Sequence, residues 1–189
     1  MTYSDILRPG AKTYALLYDL SLVLGGSLVI ALLAQVAIPL PFTPVPITGQ
    51  TLGVLLIGAL LGRWRGVVAV FAYLMEGLAG LPVFAGATAG PAVLVGPTGG
   101  YLVGFVFAAY LVGWFAEKGW DRTVWKAFVM MAAGTGIILT TGAILLTAFI
   151  PAGQVFNMGV LPFLPGAMIK ILIAMVLLPA GWKFLDRGK

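Results

Sequence analysis

The sequence contains no cysteine and no histidine, and only 9% of its 189 residues are charged. The first absence excludes disulfides and thiolate chemistry, the second imidazole ligands and the usual proton shuttle near neutral pH. Most hydrolase and metal-site chemistries lose their parts list. The scarcity of charge excludes an ordinary soluble domain, about a quarter of which is charged. What fills the chain instead is apolar, 61% hydrophobic residues, the composition of an integral membrane protein. No polar segment is long enough to form a soluble appendage, so a single membrane domain over residues 1–189 is expected.

Apolar runs recur at 20–38, 48–62, 67–81, 99–115, 128–149 and 164–184, and each is expected to be a helix. The fold class that follows is an all-α integral membrane bundle of six transmembrane helices. The first run is too long for a signal-peptide core and lacks a small-x-small cleavage site, so it is read as retained. The second and third runs are short: at 1.5 Å per residue each makes roughly 22 Å of helix, less than the ~30 Å hydrocarbon core. Arg63 and Arg65 in "GRWRG" between them are too costly to leave in lipid. That tip is expected to reach the cytosol, with neighbouring loops completing the crossing under protein cover.

Charge gives the expected orientation. Arg8 and Lys12 precede the first span, Arg63 and Arg65 join the second to the third, and Lys118, Arg122 and Lys126 join the fourth to the fifth. Lys183, Arg187 and Lys189 follow the sixth. By the positive-inside rule both termini are cytoplasmic. These cations are scattered beside apolar spans rather than grouped in a patch, which argues against nucleic acid as a partner despite a net charge of +5. The opposite connections, "PLPFTPVPIT", "PVFAGATAGPAVLVGPTGG" and "PAGQVFNMGVLPF", contain no charged residue. Two are rich in proline and glycine with hydrophobic residues between, so a lid folded back over the bundle is preferred to water-exposed loops. Lying among the membrane lipids of the interfacial layer is the other reading.

Glu76 and Lys170 alone fall inside spans away from the cytoplasmic edge. Ionisable groups at such depth face a cavity or each other. Pro165 and Gly166 open the last helix, and Gly166 and Lys170, four apart, share a face. A cleft over glycine, a helix N-terminus and an ammonium together suit a ligand with carbonyl or carboxylate oxygens. A lysine snorkelling to the headgroups is the competing reading. Glu76 is expected to pair with Lys170 or to accept from ligand N–H groups, a purely structural ion pair or a protonated acid being the alternatives. Thr48, Gln50, Thr98, Tyr101 and Asn157 sit near outer helix ends and join the candidate site only in company with Lys170; caps and interfacial anchors explain each alone. On the first helix Ser27, Ala31 and Ala34 form a flat stripe, which either packs internally or docks another membrane subunit.

Read in order, "PFTPVPITGQTL", "GLPVFAG", "GPTGGY" and "FLPGAMIK" resemble the biotin-specific S components of energy-coupling-factor (ECF) transporters, the BioY family. The resemblance covers about residues 31–178. It implies a six-helix substrate-binding subunit in a bacterial-type cell membrane, binding biotin near the outer face under loops that include Gly86. It also implies partners: a separate ECF transmembrane subunit and ABC-type ATPases. No cofactor is implied in this chain, biotin being the transported ligand. The family pattern at the last helix reads P-G-D-x-x-K; Lys170 matches, whereas Ala167 replaces the aspartate. The ureido N–H donors of biotin are then left to Glu76, Gln50, a loop carbonyl or water. The chain lacks a G-x4-G-K-[ST] phosphate loop, so nucleotide energy would come from partners. Competing classes are uptake of a biotin-like carboxylic acid, a membrane enzyme on a lipid-like substrate using Glu76 and Lys170 as acid and base, and a pore or scaffold without a discrete ligand.

Overall fold

In lipid, a backbone this apolar satisfies its polar groups by closing them within helices. The computed structural model describes residues 2–186; Arg187 and Lys189, expected above among the cytoplasmic cations, lie outside the described residues. In chain order the elements are α1 (Tyr3–Ile6), α2 (Lys12–Ala34), β1 (Ala37–Ile38), β2 (Ile47–Thr48), α3 (Gln50–Leu61), α4 (Arg63–Leu78), α5 (Gly99–Glu117), α6 (Val124–Leu146), α7 (Val155–Gly159) and α8 (Leu164–Asp186). Among the described residues α2, α5, α6 and the stretch Ala152–Phe184 are long and apolar enough to cross a membrane, and α3 is a shorter apolar helix.

The helix of the first apolar run, α2, begins at Lys12 rather than at residue 20. Nothing between Lys12 and Asp19 breaks it, and Asp19 has partners there, Arg8 at 2.6 Å and Arg65 at 2.8 Å. It stops at Ala34 because the chain turns into β1, which pairs antiparallel with β2, Ala37 opposite Thr48 and Ile38 opposite Ile47.

Helix α5 is the centre of the bundle, packed on α3, α4 and α6. Its Leu102, Phe105, Ala108, Ala109, Val112 and Ala116 are buried. Glycine brings the backbones together: a Cβ at Gly58 would stand 2.8 Å from the Ala109 carbonyl oxygen, and one at Gly113 would stand 2.4 Å from the Arg63 nitrogen. No side chain fits at either place.

On α2 the small-residue stripe turns inward. Ser27, Ala31 and Ala34 are buried against α3 and α4, the internal packing that was one of the two readings of this stripe; its small side chains let α2 approach its neighbours. Elsewhere on α2, Leu16, Leu20, Leu24, Leu28 and Leu32 are exposed.

One end of the bundle gathers the charge. The short α1 tucks beneath it, where the Ser4 hydroxyl donates to the Leu61 carbonyl, the Tyr3 hydroxyl donates to the Leu178 carbonyl, and Arg65 pairs with Asp5 at 2.8 Å. Between α5 and α6, Asp121 is fully buried and accepts from the Trp182 indole N–H at 2.6 Å; burial pushes its carboxyl up, against the pull of that bond.

Burial also acts to raise the Asp5 carboxyl, but the Thr2 backbone N–H and the Arg65 guanidinium outweigh it and hold the group below its ordinary value. A carboxylate depressed on folding contributes stability that is complete above its unfolded pKa, about 3.9, and is lost as pH falls through the folded value. Asp5→Asn is therefore expected to lower the melting temperature of the purified protein at pH 7. In a pH series of melting curves the gap should narrow as pH falls below about 4; a gap that stays constant there removes this role.

Candidate functional site

The uncharged end holds a cavity of about 340 Å³, at the lower end of the range typical of small-molecule sites. Two loops cover it. The first, carrying β1 and β2, supplies Pro44 to Thr48; the second, between α4 and α5, supplies Phe84, Ala85, Thr88 and Val93. Proline fixes backbone dihedrals in the first loop, and the β1–β2 pairing folds it back, so that Val45 is buried. The loops are thus a roof. The walls are apolar, among them Leu102 and Phe105 of α5, Ile138 and Leu139 of α6, and Phe163 before α8.

Lys170 projects from α8 into this space and does not snorkel away from it. Its ammonium donates to the Thr48 carbonyl and, at 2.8 Å, to the Thr51 hydroxyl. An ammonium carries three donors, so among the described residues one N–H remains for a ligand. The Thr48 hydroxyl donates to Gln50 Oε1 at 3.0 Å, and Gln50 Nε2 donates to the buried Tyr73 hydroxyl. The polar floor is therefore a connected network spanning β2, α3, α4 and α8.

The roof is anchored by Phe84, which is buried and packs edge-on against Tyr73 with ring centroids 5.5 Å apart. Its ring lies against α4 at Gly77, where an added Cβ would be 2.1 Å from Phe84 Cζ. The glycine is a socket for the phenyl ring.

Of the residues expected at the site, Thr48, Gln50, Thr98, Tyr101 and Lys170 line the cavity. The Tyr101 hydroxyl is already committed to the Gly159 carbonyl at 2.7 Å, and the Thr98 hydroxyl to the Val93 carbonyl at 3.2 Å. The others lie elsewhere. Glu76 faces α2, where it accepts from the Ser27 hydroxyl at 2.8 Å, and among the described residues it makes no ion pair with Lys170. Asn157 is exposed, because Val155 and Gly159, four apart, take the inward face of the short α7. Gly86 sits at an exposed turn with φ +66°, beside wall residue Ala85 rather than in the wall. Gly166 lies below the first loop, where an added Cβ would meet Ile47 at an ordinary 3.7 Å. Ala167, at the position of the family's aspartate, does line the cavity.

Residues that sequence reasoning passed over include Thr51, Phe84 and Tyr73. Thr51 follows Gln50 and Phe84 lies inside "GLPVFAG", so both were within reach; Tyr73 looked like one more aromatic in an apolar helix.

The sequence model of the BioY family matches residues 8–187. The chain belongs to the BioY family. Among its BioY relatives, the biotin transporter BioY of Thermotoga maritima is 39% identical over 138 residues, covering 72% of this chain and 80% of that protein. The biotin transporter BioY of Rhizobium etli is 35% identical over 162 residues, 80% of this chain and 86% of its own. The crystal structure of the S-component for biotin from an ECF-type ABC transporter superposes with a TM-score of 0.81 at 29% identity, covering 92% of this chain and 95% of that one. The all-α bundle described above is thus the S-component fold, and this BioY chain is a multi-pass membrane protein.

Proposed function

We propose that the chain is the biotin-binding subunit of a biotin uptake system, a single membrane domain that takes its ligand in the cavity under the two loops. The observation that carries the reading is the Lys170 ammonium at the polar floor of an otherwise apolar chamber, two of its donors held by Thr48 and Thr51 and the third without a partner among the described residues. Biotin matches that division: an oxygen-bearing polar group for the ammonium and a thiophane ring and alkyl chain for the phenylalanine and leucine walls. With Glu76 turned to Ser27, the ureido donors fall to acceptors carried by residues that line the cavity, among them Gln50, Thr51 and Thr135.

The relatives and the S-component neighbour support the same substrate by their names. That neighbour also supports ECF-type partners: an ATP-hydrolysing pair and a transmembrane coupling subunit would supply the energy this chain has no phosphate loop to capture. The gathering of cations at the end opposite the cavity supports cytoplasmic termini in a plasma membrane, with the cavity facing out. The membrane-enzyme alternative loses its acid–base pair, because Glu76 and Lys170 lie on different neighbours.

Equilibrium binding to the detergent-purified protein tests the substrate. Biotin is expected to bind tightly, and desthiobiotin, which keeps the ureido group and acid but lacks the thiophane ring, to bind less tightly because it leaves the apolar wall part-filled. Failure of biotin to bind at all would remove the substrate assignment; equal affinity would place recognition wholly in the polar ends.

A further inference from the structure

Gln35 caps the C-terminal end of α2 where the chain enters the first loop, and its side chain also reaches the second. Its Nε2 donates to the Ala31 carbonyl at 2.9 Å and stands 3.4 Å from the carbonyl oxygens of both Val83 and Phe84, while its Oε1 accepts from the Ala87 backbone N–H at 3.0 Å. One amide therefore holds both a donor and acceptors of the turn that carries Phe84 over the cavity. The turn needs holding. Gly86 and Ala87 adopt consecutive left-handed conformations, φ +66° and +58°, and Ala87 is the sole non-glycine residue with positive φ among those described. An alanine in that region is strained and persists when its surroundings determine it. The backbone that emerges from Gln35 also donates structure to the first loop: the Gly49 N–H bonds to the Val36 carbonyl at 2.9 Å, next to the Thr48 carbonyl that receives Lys170.

We propose that Gln35 is a positioning residue for the cavity roof: its side-chain amide clamps the 83–87 turn, seats Phe84 in the Gly77 socket, and so sets the rate at which the bound ligand leaves. The clamp touches only backbone groups, and Gln35 itself does not line the cavity, so its effect reaches the ligand through the loop. Both loops are fixed at one helix end, and they open together when that end lets go. The proposal rests on the biotin reading for its kinetic readout and is independent of it for its structural one.

The test uses the full chain in detergent or nanodiscs, with Gln35→Ala and Gln35→Glu. Gln35→Glu keeps the acceptor for Ala87 and places a carboxylate oxygen against the Val83 and Phe84 carbonyls, so it separates the two halves of the clamp. Biotin dissociation is expected to accelerate about tenfold in Gln35→Ala, equivalent to ~1.4 kcal/mol, and at least as much in Gln35→Glu, with association changed little. In the ligand-free protein, amide hydrogen exchange of the peptide containing Ala87 should rise in both variants while exchange in α5 stays as in the parent, a pattern general destabilisation does not give. Unchanged dissociation in both variants overturns the proposal. If the parent protein does not bind biotin, the substrate reading has failed, and the exchange measurement alone decides: faster exchange confined to that peptide supports the clamp, and parental exchange overturns it.

Discussion

Lys170→Ala is expected to weaken biotin binding about a hundredfold or more, a loss in the ~2–5 kcal/mol range for truncating one member of a buried charged contact. The ammonium lies in a partly covered, mostly apolar chamber, where a charge-assisted hydrogen bond is stronger than in water. Without it the ligand oxygen finds no donor, and the Thr48 carbonyl and Thr51 hydroxyl lose theirs. Lys170→Met keeps much of the side-chain volume and should lose nearly as much affinity, which separates charge from packing. Titration calorimetry on both variants measures the effect. Parental affinity in either would place the ligand away from this residue.

Gly77→Val is expected to weaken binding about 10- to 100-fold, although the residue touches no ligand. A Cβ at this position would lie 2.1 Å from the Phe84 ring, which also packs edge-on against Tyr73, one turn earlier on the same face of α4. Overpacking of this kind costs ~1–3 kcal/mol. Here the strain is relieved by expelling Phe84 from its socket, so the roof is displaced. Adding Phe84→Ala to Gly77→Val removes the clash, so the losses of the two single variants should fail to add. Strict additivity in that cycle, or parental affinity in Gly77→Val, contradicts the seating of the roof on α4.

The architecture was legible because membrane chemistry leaves few options. Length and apolarity located the helices, and the shortness of the 48–62 and 67–81 runs pointed to loops that dip into the protein, as the first loop does before α3 begins at Gln50. The motifs named the family. Helix ends were less legible: charge marked residues 12–19 as outside the first apolar run, yet α2 continues through them because Asp19 finds Arg8 and Arg65.

Within the cavity, Lys170, Gln50 and Thr48 were legible because a polar group in so apolar a span needs a destination. Glu76 met the same criterion and goes elsewhere, since composition places a residue at a depth and not on a side. Which helix it faces depends on packing, and the small Ser27 on α2 supplies both the space and the hydroxyl. The same limit applies to Ser27, Ala31 and Ala34: a flat stripe is equally suited to an internal neighbour and to an external one. Gly77 and Gln35 were illegible for a different reason. Their roles are toward the backbone and ring of a loop whose path no periodicity describes.

A crystal structure of the protein grown with biotin tests the central claim most directly. The account predicts ligand density in the chamber between Phe84 and Phe105, with an oxygen within hydrogen-bonding distance of Lys170 Nζ. Density for biotin outside the two-loop roof, or a Lys170 side chain turned away from the bound ligand, would contradict it.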